Sequence, residues 1–122
     1  MTALRFGQSK PKIKESDIER GILEFLALKR IFAWKIKTTG TFDPHRKIFR
    51  STPKHYRKGV ADIIGIFQGR PFAIEVKSKA GSLSLEQKEF LAQFKTEGGL
   101  TLVARSVDDV AVALVLWIKE VA

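Results

Sequence analysis

ADIIGIFQGRPFAIEVKSK, residues 61–79, reads as two short strands around a tight connection. Branched and aromatic residues fill Val60 to Phe67 and Phe72 to Lys77, and Gln68-Gly69-Arg70-Pro71 supplies the turn, so the pair is an antiparallel hairpin. Side chains alternate across a sheet, so Phe72, Ile74 and Val76 share one face and Ala73, Glu75 and Lys77 the other. Counting back from the turn brings Asp62 near Lys77 on that second face. Two carboxylates and an ammonium thus converge on strands that are otherwise apolar. Charged groups in such surroundings are paired, metal-bound or catalytic. A cross-strand salt bridge between Asp62 and Lys77, with Glu75 turned to water, is the plain alternative.

Working outward, Glu15 to Lys29 carries Ile18, Ile22, Leu23, Phe25 and Leu26 at helical spacing. Ile31 to Thr39 alternates, with Phe32, Trp34 and Ile36 on one side and Lys35 and Lys37 on the other, a strand with one wet face. After the hairpin, Ser84 opens a helix with Gln87 placed for a capping box, and Gly98-Gly99 closes it. Leu100 to Ala104 is a fourth strand, expected parallel to the third through a right-handed crossover. Ser106 caps a last helix, Val107 to about Val121, apolar enough to be largely buried. The order is α-β-β-β-α-β-α.

On the first helix, Glu15 and Glu19 fall on or beside the apolar stripe, while Asp17 and Glu24 fall on the far side. Ser16 and Glu19 also match a capping box, which would give Glu19 a purely structural duty. Gly40 to Lys58 is a long polar connection whose only acid is Asp43. Six Arg or Lys side chains lie in its second part: Arg46, Lys47, Arg50, Lys54, Arg57 and Lys58. With His45 and Tyr56 they form a candidate clamp for a phosphate backbone, with Phe49 and Tyr56 available to stack on a base. His45 and His55 lack the spacing and partners of a zinc site.

The bulk figures agree. The 122 residues suit one domain, and 44% hydrophobic residues suit a folded one. Residues 1–14 hold Arg5, Lys10, Lys12 and Lys14 and no acid, a loose basic arm ahead of the domain at 15–122. A net charge of +9, from 22 Lys and Arg against 13 acids, points to a polyanion, and nucleic acid fits better than a membrane surface. The absence of cysteine excludes disulfides and thiolate metal sites and suits the cytoplasm. No apolar run has the length of a membrane span.

Gly59…Asp62 followed by Glu75-Val76-Lys77 resembles the G-x-x-D…E-x-K signature of PD-(D/E)xK nucleases, with Ala61 where the usual proline stands. ESDIERGILEFL, the basic connection and the Ser-x-x-Gln start of SLSLEQKEFLAQFKTEGGLTLVARS extend the likeness to the VRR-NUC branch over roughly residues 15–108. The resemblance implies a restriction-endonuclease-like α/β core with a mixed four-stranded sheet. It implies a Mg²⁺-dependent phosphodiesterase, with Mn²⁺ as a substitute. Asp62, Glu75, the Val76 carbonyl and either Glu15 or Glu19 would supply metal oxygens, while Lys77 would orient water or neutralise the phosphate. Gln87 matches the family's helix glutamine and would hold Lys77 or a water, if it does more than cap its helix. Stand-alone members are associated with branched DNA, particularly four-way (Holliday) junctions, as homodimers in bacterial or phage-infected cells. Val110, Leu114 and Trp117 on the last helix are one candidate dimer interface. The alternative is a non-catalytic nucleic-acid-binding module with the same fold.

Overall fold

The computed structural model describes residues 13–36, 42–43, 48–49 and 55–122. Its elements run α1 (Glu15–Leu28), β1 (Phe32–Lys35), β2 (Phe42–Asp43), β3 (Ile48–Phe49), β4 (Ile63–Phe67), β5 (Arg70–Val76), α2 (Leu85–Thr96), β6 (Leu100–Ala104) and α3 (Val107–Val121). The main sheet is four-stranded, in the order β1-β4-β5-β6; β2 and β3 pair separately within the long polar connection. Strand β4 runs antiparallel to both of its neighbours, β1 and β5, and β6 lies parallel to β5 beyond the α2 crossover. The α/β order and mixed sheet expected from the sequence are therefore present, with the small β2–β3 ladder added.

One face of the sheet carries the main core. Ile63, Phe67, Phe72, Ile74 and Val76 pack there against Ile18, Ile22 and Leu26 of α1 and Val110, Ala113, Leu114 and Trp117 of α3. The Phe72 ring lies on that face 5.3 Å from the Trp117 ring. On the opposite face α2 contributes Leu91, with Phe90 and Phe94 beside it, against Ala61, Ala73, Ile64 and Val103. Val110, Leu114 and Trp117 are thus core residues, not an interface. The outward face of α3 exposes Val112, Val115, Leu116 and Ile118 instead.

The hairpin turn is tighter than four residues. Gln68 and Gly69 both have positive φ, 48° and 86°, the pattern of a type I′ turn whose twist matches its strands. Strand β5 consequently starts at Arg70, paired with Phe67. This register continues to Ile63–Ile74, so the residue facing Asp62 is Glu75 and not Lys77. A two-residue offset leaves every side chain on its expected face, which is why the face assignment holds although the partner changes.

Strand β1 is the other correction. Its core-facing residue is Ala33, whereas Phe32 and Trp34 lie on the opposite face and are exposed. Lys35, two residues on, shares the side of Ala33 and there pairs with Glu19 of α1, Nζ to Oε1 3.1 Å. Alternation fixed which residues share a side, but not which side meets α1. Glu19 is drawn into that ion pair, and the Ser16–Glu19 capping box does not form: the N-cap of α1 is Lys14, with no side-chain cap.

Candidate active site

Beyond the Ile63–Ile74 pair β4 leaves the ladder, and the Asp62 side chain bonds to β5 in its place. Its Oδ2 accepts from the Val76 amide at 2.7 Å. Gly59 makes the approach possible. Its φ is +79°, and a Cβ there would lie 2.4 Å from the Glu86 carbonyl carbon, inside the first turn of α2. The chain therefore passes against the helix backbone just before delivering Asp62 to the sheet.

Glu75 is 2% exposed, the one buried charged residue among those described. Oε1 accepts from Gln87 Nε2 at 3.0 Å and lies 3.9 Å from Lys77 Nζ. Oε2 is buried with no hydrogen-bond partner. Burial pushes the Glu75 carboxyl up to about 8; Asp62 adds to this through a hydrogen bond to the protonated form and through its charge, Lys77 opposes it, and Glu15 adds a little more. At neutral pH the metal-free pair thus holds a proton, which a cation would replace.

Gln87 does two things at once. Its Oε1 accepts from the Ser84 amide at 2.9 Å while Ser84 Oγ accepts from the Gln87 amide at 3.1 Å, a complete capping box. The Nε2 end is left to hold Glu75, rather than Lys77 or a water. The two duties that the sequence left as alternatives are compatible because an amide has a donor end and an acceptor end.

Glu15 and Glu19 separate here. Glu19 is engaged by Lys35. Glu15, in the first turn of α1, reaches the end of the sheet: a Cβ at Gly81 would sit 3.3 Å from Glu15 Oε2 and 3.5 Å from Lys77 Cδ. The loop bearing Gly81 is held by Arg105, whose Nη1 donates to the carbonyls of Ser78 (2.6 Å) and Gly81 (2.7 Å). Sequence reading missed Arg105. No local pattern marks it, since its partners lie 24 to 27 residues away.

Among the described residues, no three His, Asp or Glu side chains form a ready-made metal cluster. The donor set is the Asp62–Glu75 pair, with Glu15 near enough to be felt as charge. The pair fits Mg²⁺, which commonly takes one or two protein carboxylates and keeps its remaining positions for water and phosphate. The orphaned Glu75 Oε2 is the atom that such an ion would satisfy.

Of the basic segment, His45, Arg46, Lys47, Arg50 and Lys54 lie outside the described residues, as does the side chain of Phe49. Lys58 and Tyr56 are exposed. Arg57 folds back onto α2, its Nη1 donating to Gln93 Oε1 at 3.0 Å and its guanidinium 5.5 Å from the Phe90 ring centre. The basic arm at residues 1–12 is likewise outside the described residues.

The VRR-NUC domain pattern matches residues 14–108. The chain belongs to the VRR-NUC family. A solved structure titled "VRR_NUC domain protein" has the same fold, with a TM-score of 0.58 at 18% identity, over 89% of this chain and 91% of that one. No curated protein matches the chain. VRR-NUC membership makes this a nuclease-type domain, with DNA as the implied substrate. No helix among its described residues is long and apolar enough to cross a membrane.

Proposed function

We propose that this VRR-NUC domain is a Mg²⁺-dependent endonuclease that hydrolyses phosphodiester bonds in branched DNA, four-way junctions above all. The observation that carries the reading is Glu75: a buried carboxyl beside a second carboxylate, with one oxygen satisfied by Gln87 and the other facing no donor group. A stability-driven core has no use for that arrangement, because each of these groups costs free energy when buried.

Asp62 and Glu75 would hold the metal, with the Val76 carbonyl and Glu15 as further oxygen donors. Glu15 is favoured over Glu19 because Glu19 already has Lys35. When bound, Mg²⁺ supplies the Lewis-acid charge that activates water and offsets the charge building on the phosphate. The protein's own groups do the positioning. Gln87 fixes Oε1 and so aims Oε2. Lys77 places a positive charge beside Glu75, where it orients the attacking water and neutralises the phosphoryl oxygens. Mn²⁺, with similar preferences for oxygen, can substitute. The segment from His45 to Lys58 binds the backbone through charge, reading shape more than sequence.

Symmetric cutting of a two-fold junction requires two active sites, which one chain of this size provides by forming a homodimer. The exposed apolar face of α3, Val112, Val115, Leu116 and Ile118, is the surface that would pair. The direct test incubates labelled four-way junction and linear duplex with the protein under Mg²⁺ or EDTA. Junction cleavage in Mg²⁺ that vanishes in EDTA and in Asp62→Ala, with binding retained, is expected. Junction binding without cutting under either Mg²⁺ or Mn²⁺ would instead identify a non-catalytic binding module.

A further inference from the structure

Phe32 and Trp34 are 67% and 41% exposed, with ring centres 5.1 Å apart and planes tilted by 51°. Ile66, which faces Phe32 across the ladder, is 44% exposed. A cluster of this kind on a strongly basic protein marks an interaction surface. Its place in the sheet says with what. The Ile36 amide donates to the Asp62 carbonyl at 2.8 Å, so Ile36 sits beside the carboxylate pair. Trp34 is the next residue on that face and Phe32 the one after, each step roughly 7 Å along the strand. Both therefore share the face of Asp62 and Glu75, while α2 lies over β5 and β6.

The geometry points to a stacking platform in which Phe32 and Trp34 receive unpaired DNA bases adjoining the phosphate at Asp62 and Glu75. The location of that phosphate rests on the nuclease reading. Charge selects a polyanion: the chain carries +9. The aromatic pair selects among polyanions, since nucleobases offer π-faces and a bare polyphosphate does not. Lys35, which follows Trp34 in sequence, points to the other face and is bound to Glu19, so it adds no cation to the ring patch. Bases inside a duplex are already stacked on each other. The platform therefore discriminates for unpaired nucleotides, as found at a branch point, flap or single strand.

Tryptophan emission tests this directly, because the second tryptophan, Trp117, is only 5% exposed. The full chain is titrated in EDTA with a single-stranded oligodeoxynucleotide, a fully paired duplex of equal length and inorganic polyphosphate. Single-stranded DNA is expected to quench the emission, and polyphosphate is not. Trp34→Leu should lose the quench and weaken single-strand binding by about tenfold or more while duplex binding changes less than about twofold. Trp34→Tyr should retain most of the single-strand affinity, as a stacking role predicts. Equal losses for single strand and duplex, or no quench at all, would overturn the platform. So would a fall in oligomeric mass by light scattering in Trp34→Leu, which would give this face to a second copy of the chain. Failure here with Asp62-dependent cleavage intact removes the platform and leaves the nuclease. A single-strand-specific quench in a protein that cuts nothing under Mg²⁺ removes the nuclease and leaves the platform.

Discussion

The two ends of the Gln87 side chain act on different neighbours, and this makes its two roles separable. Gln87→Ala should cost about 1 kcal/mol through the lost cap and slow junction cleavage by about tenfold or more through the freed Glu75. Ser84→Ala removes a similar amount of stability but keeps the backbone amide that holds Gln87 Oε1, so cleavage should stay within about twofold. Thermal melts and single-turnover rates on the two variants check both statements. Glu75 makes a second prediction. Its native carboxyl titrates near 8, against an ordinary value of 4.5. Between those values the folded protein holds a proton that the unfolded chain releases. Its contribution is therefore fully present below about 4.5 and is lost as pH rises through about 8. Urea melts in EDTA should show wild type losing stability over that window relative to Glu75→Gln, which cannot ionise. The charged groups facing this carboxyl are Asp62, Lys77 and Glu15, so the difference between the two proteins isolates Glu75. Mg²⁺ competes with the same proton, and its affinity should rise over the same window.

Gly59 joins two elements that would otherwise stand apart. Any side chain there meets the α2 backbone, and its φ of +79° adds strain for an L-residue. Gly59→Ala should therefore destabilise by about 2–4 kcal/mol and displace Asp62 relative to Glu75. A lowered urea midpoint, with cleavage reduced further than the unfolded fraction explains, is the expected pair of results. The elements also mark where sequence reading fell short. The hairpin, the α2 capping box and the parallel β6 were legible because each is written in local signals: a turn residue, a Ser-x-x-Gln spacing, a helix between two apolar runs. The orientation of β1 was not. Alternation groups Phe32 with Trp34 and Ala33 with Lys35, and hydrophobicity argues for burying the aromatic pair. What settles the side is the pairing with β4: Ala33 lies opposite Gly65 and Lys35 opposite Ile63, on the α1 face, which leaves Phe32 and Trp34 on the other, and the half-exposed Lys35–Glu19 ion pair is too weak to decide it alone. The turn is shorter than its residues suggest because Gln68 adopts a positive φ that its residue type does not advertise.

Over the molecule as a whole, charge and symmetry set the expected behaviour. With a net +9, DNA binding should weaken steeply with salt, the logarithm of affinity falling by about 0.9 for each phosphate neutralised per unit of log salt. Replacing exposed Lys58 by Ala should reduce that slope by about 1. Arg57→Ala should reduce it less, since its guanidinium is already bonded to Gln93 and lies over Phe90. For the homodimer proposed above, Leu116→Glu on the outward face of α3 should halve the mass seen by light scattering and abolish paired cuts in a junction. An unchanged mass would exclude that face as the dimer contact.

Apart from Gln87, placed beside the site only by the resemblance to the family, the sequence by itself determined the order of the main elements, the hairpin, the faces of β5 and the neighbourhood of Asp62, Glu75 and Lys77. Those features follow from periodicity and short-range capping, which act over a few residues. Only the tertiary structure decided that Asp62 faces Glu75, that Gln87 holds Glu75, that Glu15 and not Glu19 reaches the site's end of the sheet, and that Arg105 fixes the loop beside it. These depend on register and on contacts between elements far apart in the chain. There the register of a strand or a two-residue turn shifts the outcome without leaving a local trace.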